Sequence, residues 1–277
     1  MPDQILLTAL PDNFQECAQL AFEYGLGLEF QTFAYPEILQ GNWLNVLDQY
    51  LRVRIDRLEG PLALHGAFID MAPGSADPLI REVTRKRTLQ SLDIADALGA
   101  ALVVFHLNFS PGIHSSDSRR AWTQRNLDFW GPMTARAARQ GVIIALENMW
   151  EFEPEVIVAV LRDIESPHLR ACLDVGHAYL FSKKPLATWL KAFQPYLVHA
   201  HLNNTDGEID AHRALDDGVL DYTAILPRLR ALSPAPSFTL EMNRAADMRA
   251  SLHHLELASQ RPWCETPSPA PDLAHAR

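Results

Sequence analysis

Val142-Ile143-Ile144-Ala145-Leu146-Glu147-Asn148 reads as a buried strand that ends on a charge. Ile143, Ala145 and Glu147 share one face of an extended chain, and Ile144 and Leu146 share the other, because side chains alternate along a strand. The carboxylate therefore lies on the face opposite the bulkier aliphatic pair. Five other segments repeat the arrangement. Ala63 and His65 oppose Leu62 and Leu64, and Val104 and His106 oppose Val103 and Phe105. Cys172 and Asp174 oppose Ala171 and Leu173, and His199 and His201 oppose Val198 and Ala200. Thr239 and Glu241 oppose Phe238 and Leu240. Six strands that each place an ionisable group at the same end of the same face call for a shared site.

Around these segments, strand-like runs are expected over 5–8, 26–30, 62–67, 102–107, 142–148, 170–175, 198–203 and 238–242. Amphipathic helical spacing fills the intervals at 14–24, 78–98, 119–139, 154–164, 185–193, 221–232 and 245–259. Asp12 and Asn13 offer a cap for the first helix, and Gly25 a stop. Eight strands alternating with helices point to an α/β fold, a single closed (β/α)8 barrel, whose active site lies at the C-terminal ends of the strands. An open doubly wound sheet would place a glycine-rich phosphate loop after the first strand, where Leu10-Pro11-Asp12-Asn13 stands instead. The barrel is expected over 1–264, followed by a disordered tail rich in Pro, Ala and Ser over 265–277.

Composition narrows the function classes. With 48% hydrophobic and 21% charged residues, the 277-residue chain has the balance of a globular protein with a substantial core. The longest apolar run, 156–161, is too short to span a bilayer, so no membrane partner is expected. Met1-Pro2-Asp3-Gln4 lacks the basic and apolar blocks of a signal peptide. Cys17, Cys172 and Cys264 match neither a disulfide framework nor a CxxC metal pattern. A cytoplasmic location is the expectation. The formal charge of -10 works against nucleic acid as a partner, since such binding neutralises phosphates with Lys and Arg. Nothing in the sequence fixes an oligomeric state.

Nine candidate metal ligands follow in chain order: His65, His106, Glu147, Asp174, His177, His201, Asp210, His212 and Glu241. Mixed imidazole and carboxylate donors suit Zn2+ or Mn2+ first, with Co2+, Fe2+ or Mg2+ as further candidates. One ion takes about four to six ligands, so nine candidates allow one to three ions, with Glu147 as the natural bridge. His199, one layer below His201, reads as an orienting or packed imidazole, and Cys172 as core filling. Phe33, Phe68, Phe109 and Trp150 follow strand ends and suit either a ring-stacking role or a plug of the barrel mouth. Arg213 and Arg244 are the nearest cations for a substrate phosphate, or else partners of neighbouring acids.

The chain resembles the xylose isomerase-like TIM barrels, a family that includes sugar-phosphate isomerases and epimerases and endonuclease IV. The resemblance rests on Leu146-Glu147-Asn148, Leu173-Asp174-Val175-Gly176-His177-Ala178, His199-Ala200-His201-Leu202-Asn203-Asn204, Asp210-Ala211-His212-Arg213 and Leu240-Glu241-Met242-Asn243. The run Leu215-Asp216-Asp217-Gly218-Val219-Leu220-Asp221-Tyr222 is similar to a further family stretch, with Asp216 where glycine is common. In the epimerase branch the resemblance implies one ion on Glu147, Asp174, His201 and Glu241, with Glu147 and Glu241 as catalytic proton carriers. It implies substrate contacts from Glu153 and His177, to which Arg213 and Trp150 are added by position. Gly207 stands where that branch has a substrate-contacting arginine. In the endonuclease IV branch all nine ligand positions are matched, which implies a two- or three-metal phosphodiesterase. Phe68 stands where that branch has a DNA-contacting tyrosine. The expected function is a divalent-metal-dependent isomerase or epimerase of a sugar, sugar phosphate or related polyol, acting through an enediolate, with the endonuclease IV-like phosphodiesterase as the alternative.

Overall fold

The computed structural model describes residues 3–53, 55–109 and 115–255; the tail expected over 265–277 lies outside the described residues. Eight strands close into a barrel in chain order: β1 (Ile5–Ala9), β2 (Gly27–Phe30), β3 (Leu62–His65), β4 (Leu102–His106), β5 (Ile143–Glu147), β6 (Leu169–Asp174), β7 (Leu197–Leu202) and β8 (Ser237–Leu240). Every pairing is parallel, and β1 against β8 shuts the ring, so the open doubly wound alternative does not hold.

Helices wrap the outside. They are α1 (Phe14–Tyr24), α2 (Pro36–Gln40), α3 (Trp43–Arg52), α4 (Pro78–Leu98), α5 (Ser116–Gln140), α6 (Glu155–Ile164), α7 (Val175–Leu180), α8 (Leu186–Phe193), α9 (Tyr222–Arg230) and α10 (Ala245–His254). Among the described residues no helix is long and apolar enough to cross a membrane.

The alternation of side chains separates two apolar layers. Leu64, Phe105, Ile144, Leu146, Leu173, Ala200 and Leu240 point outward into the core shared with the helices. Val104, Ala145 and Cys172 point inward and form a small plug inside the barrel, as expected for Cys172. Burying one Leu or Ile side chain is worth roughly 1.5–3 kcal/mol, so the outer layer stabilises the barrel without help from the charged residues at its mouth.

Helices α2, α3 and α7 were not expected, and three local details differ as well. Leu26 precedes β2, because its N–H closes α1 on the carbonyl of Ala21 at 2.8 Å, around Gly25 in the left-handed conformation (φ 67°). Asn13 makes no capping bond to α1. Its Oδ1 accepts from Leu10 N, and its Nδ2 donates to the carbonyls of Thr8 and Asn243, tying β1 to the chain beyond β8. Asp174 ends β6 and also caps α7 by accepting from His177 N at 2.5 Å, so strand passes to helix with no loop.

Candidate metal centre

The strand register sets the ends of β4 to β7 side by side, with His106 beside Glu147 and Asp174 beside His201. At that mouth the nine expected residues form three groups: His65, His106 and Glu147; Glu147, Asp174, His201 and Glu241; and His177, Asp210 and His212. Within each group the candidate ligand atoms lie within 4.8 Å of one another. Glu147 is the hub. Its Oε2 lies 2.8 Å from His106 Nε2 and 3.3 Å from His65 Nε2. Its Oε1 lies 3.2 Å from His201 Nδ1 and 3.3 Å from His177 Nδ1.

Hydrogen-bond bookkeeping tests whether a cation fits. A carbonyl oxygen has no proton to give, so an imidazole nitrogen bonded to one must supply its own. His65 Nδ1 bonds Gly66 O at 3.0 Å, His177 Nδ1 bonds Asn148 O at 2.9 Å, and His212 Nδ1 bonds Glu241 O at 2.9 Å. The other nitrogen of each ring faces a carboxylate. His65 Nε2 meets Glu147, while His177 Nε2 and His212 Nε2 each lie 3.1 Å from an oxygen of Asp210. In neutral imidazoles these contacts oppose lone pair to lone pair. A second proton or a shared metal ion makes them attractive, and the His–carboxylate donor set suits a divalent transition metal.

Protons serve in the metal-free chain. Burial works against a charged His212, but Glu241 and Asp210 together raise it to about 9. His177 is likewise held well above the ordinary histidine range, against its burial, by Asp174, Asp210 and Glu147. Burial pushes Asp174 up to about 7, helped by the charges of Glu241 and Glu147 and opposed by His177. Glu241 is also buried, yet His201 and His212 bring it down to about 2.

Neutral side chains hold the carboxylates in place. Asn148 donates to the carbonyl of Asp174 and accepts from its N–H, both at 2.9 Å, extending the β5–β6 ladder beyond the strand end. Asn203 Nδ2 donates to Asp174 at 2.7 Å and to Glu241 at 3.4 Å. A side chain on Gly176 would put a Cβ 2.1 Å from Asn203 Oδ1, so glycine is required for that close approach. Gln31 Nε2 donates to Glu241 Oε1 at 2.5 Å. His212 reaches the site in a left-handed conformation (φ 47°) that non-glycine residues seldom adopt.

Burial shows where the centre opens. The side chains of Glu147, Asp174 and His201 are fully buried, whereas those of Asp210 and His212 expose 24% and 21% of their surface. Two aromatic walls flank the opening. Trp150 packs against Phe181 at a tilt, with ring centroids 4.6 Å apart, and Phe181 lies 5.8 Å from the His177 ring. Phe68 packs 5.0 Å from the His65 ring and 5.2 Å from the His106 ring.

Residues 11–258 match the family described as xylose isomerase-like TIM barrel. The chain belongs to that family. The solved TTHB071 protein of Thermus thermophilus, soaked with ZnCl2, has a TM-score of 0.76 and 30% identity, covering 94% of this chain and 99% of that one. A D-tagatose 3-epimerase-like protein has a TM-score of 0.75 at 21% identity, covering 93% and 97%. An AP endonuclease, family 2, from Brucella melitensis has a TM-score of 0.71 at 15% identity, covering 94% and 100%. The latter two are similar to this xylose isomerase-like barrel in fold.

Other expected site residues sit apart from the three groups. Glu153 is paired with Arg119 at 2.7 Å. Arg213 is paired with Asp206 and Asp217 at 3.2 and 3.4 Å, and Arg244 with Asp247 at 2.6 Å, so both take the ion-pair role rather than offering a free cation. Phe33 and Phe109 are packed into the outer core, while Phe68 and Trp150 stay at the mouth. His199 lies below His201, with ring centroids 5.3 Å apart, in the expected layer. Sequence reading passed over Glu29, Gln31, Asn148, Glu151 and Asn203 as contributors. Glu151 is buried and accepts from the N–H groups of Phe109 and Met149, joining the loops after β4 and β5. For Glu29, the signal was a lone carboxylate on the inward face of an apolar strand.

Proposed function

We propose that this barrel is a metal-dependent hydrolase of phosphoric esters, with a small-molecule phosphodiester as substrate. The observation that carries the reading is the third group, His177, Asp210 and His212, which adjoins the two buried groups on the open side of the mouth. Proton transfer on a sugar needs one Lewis acid and two bases, which Glu147, Asp174, His201 and Glu241 would supply alone. Three adjoining groups, two of which share Glu147, suit a phosphate diester, whose charge is shared by two non-bridging oxygens. Divalent ions held there would neutralise those oxygens and make water a stronger nucleophile. His65, His106 and Glu147 would hold the first ion, Glu147, Asp174, His201 and Glu241 the second, and His177, Asp210 and His212 the third. Zinc is the ion to try first, since the relative at 30% identity was soaked with it. Gln31 donates to Glu241 Oε1 and so fixes the orientation of this carboxylate beside the central group. Trp150 and Phe68 would bracket the organic part of the ester. The net charge of -10 disfavours duplex DNA as substrate, since the protein would have to approach a polyanion.

The second reading, an epimerase or isomerase of a small carbohydrate, is favoured by one observation. Glu147 and Glu241 both border the central group, His201 Nδ1 being 3.2 Å from one and 3.3 Å from the other. That pair could remove and return a proton beside a carbonyl.

The deciding experiment measures bound metal per chain and assays two reactions on the same sample. The expected result is two or three ions and hydrolysis of bis(p-nitrophenyl) phosphate, with slow nicking of abasic DNA. One ion, with solvent deuterium entering ketoses beside the carbonyl, would replace the hydrolase by the epimerase.

A further inference from the structure

Below the mouth, inside the barrel, lies a buried polar group that the three clusters do not use. Glu29, on the inward face of β2, is completely buried. Its Oε2 is approached by Thr239 Oγ1 at 2.6 Å, His199 Nε2 at 3.0 Å and His201 Nε2 at 3.2 Å. His201 Nε2 also lies 3.0 Å from the other oxygen of Glu29. The opposite nitrogen of the same ring, Nδ1, faces Glu147 at 3.2 Å and Glu241 at 3.3 Å.

We infer that Glu29 is a positioning residue that fixes the ring of His201, holding the proton on Nε2 and leaving the Nδ1 lone pair aimed at the central group. This rests on the metal reading above. An ionised carboxylate offers only acceptors, so a nitrogen that meets it directly must donate, whereas one that shares a metal ion with it presents its lone pair. With its proton committed to Glu29, His201 presents Nδ1 to Glu147 and Glu241 as a third acceptor, and three converging acceptors make a cation site. Glu29, His199 and His201 are themselves close enough to be considered as ligands of a separate ion. The central group sets three carboxylates around His201 against the single one here, however, and Thr239 Oγ1 already donates to Oε2. His199 completes the arrangement: its Nδ1 meets Ser237 Oγ at 2.7 Å, so the ring bridges β8 to Glu29 from below. Partners of this kind behind a ligating histidine typically change metal affinity by about 10–100-fold when removed.

The test uses the full chain, stripped by chelation and titrated with Zn2+ against a coloured chelator of known affinity. Glu29→Gln keeps the shape of the side chain while removing its charge. The expected result is that one ion of the set is held about 10–100-fold more weakly while the others keep wild-type affinity, a selectivity that general destabilisation would not give. Independently, nitrogen-15 NMR of the histidines in zinc-loaded wild type should place the proton of His201 on Nε2, a measurement that does not depend on any variant folding. Wild-type affinity for every ion in Glu29→Gln, or a proton on Nδ1 of His201 in wild type, would overturn the inference and leave the metal reading intact. A wild-type chain that binds no Zn2+ would overturn both.

Discussion

A protonated imidazole must release a proton before it can ligate, and the carboxylates around His177 and His212 make that release costly at neutral pH. His212 is raised to about 9 and His177 well above the ordinary range, so both rings are protonated in the metal-free chain at pH 7. The sign follows: protons compete with metal, and competition weakens as pH rises toward 9. Apparent affinity should increase about tenfold per pH unit for each proton displaced. Titration calorimetry with Zn2+ at pH 7, in two buffers of different ionisation enthalpy, should show proton release; buffer-independent heats would contradict the assignment. At this scale the sequence was legible where a charge broke an apolar alternation at a strand end, as at Glu147 and Glu241. Gln31, Asn148 and Asn203 were not, because an uncharged amide near a strand end also suits a turn. Only the close atoms of the folded site distinguish the two roles.

Strands β3 to β8 present their polar ends in register because the inward faces carry small or polar residues and the outward faces carry the large ones. Asn148 extends this order beyond the sheet, standing in for one more residue of strand. Asn148→Ala leaves the N–H of buried Asp174 without its acceptor, and should cost about 1–3 kcal/mol in urea unfolding. A change below about 0.5 kcal/mol would mean that water or another group replaces the amide. Helices α1 and α4 run as their apolar spacing and flanking glycines indicate. The helices α2, α3 and α7 were hidden. In the long segment between β2 and β3, Pro36 and Gly41 resemble loop punctuation, and α3 has no side-chain cap. Val175-Gly176 favours strand or turn by local preference, and α7 forms there because Asp174 caps it.

For the whole molecule, the division between an outward core and a charged mouth separates stability from chemistry. Chelation should abolish activity and leave the circular dichroism spectrum of the barrel nearly unchanged, because imidazole protons take over the balancing of charge. The melting temperature should still fall, since an ion present at about a thousand times its Kd contributes about 4 kcal/mol to the folded state. Loss of the helical spectrum on chelation would show that the metal builds the fold. The closed barrel was legible in advance from the alternation of eight strands and helices. The grouping into three was not, since chain order does not reveal that His177 faces Asp210 rather than Glu241.

The unequal exposure of the groups has a kinetic consequence. Glu147 ties the two inner groups together beneath the mouth, while the outer one ends in Asp210 and His212 at the solvent boundary. An ion at that boundary would trade places with the surrounding medium long before the inner pair does. Removal by a competing chelator should therefore run in two phases, the fast one abolished by His212→Ala. A freshly isolated sample would carry a uniform interior and an outer position stocked by whatever metal the cell and the buffers last supplied.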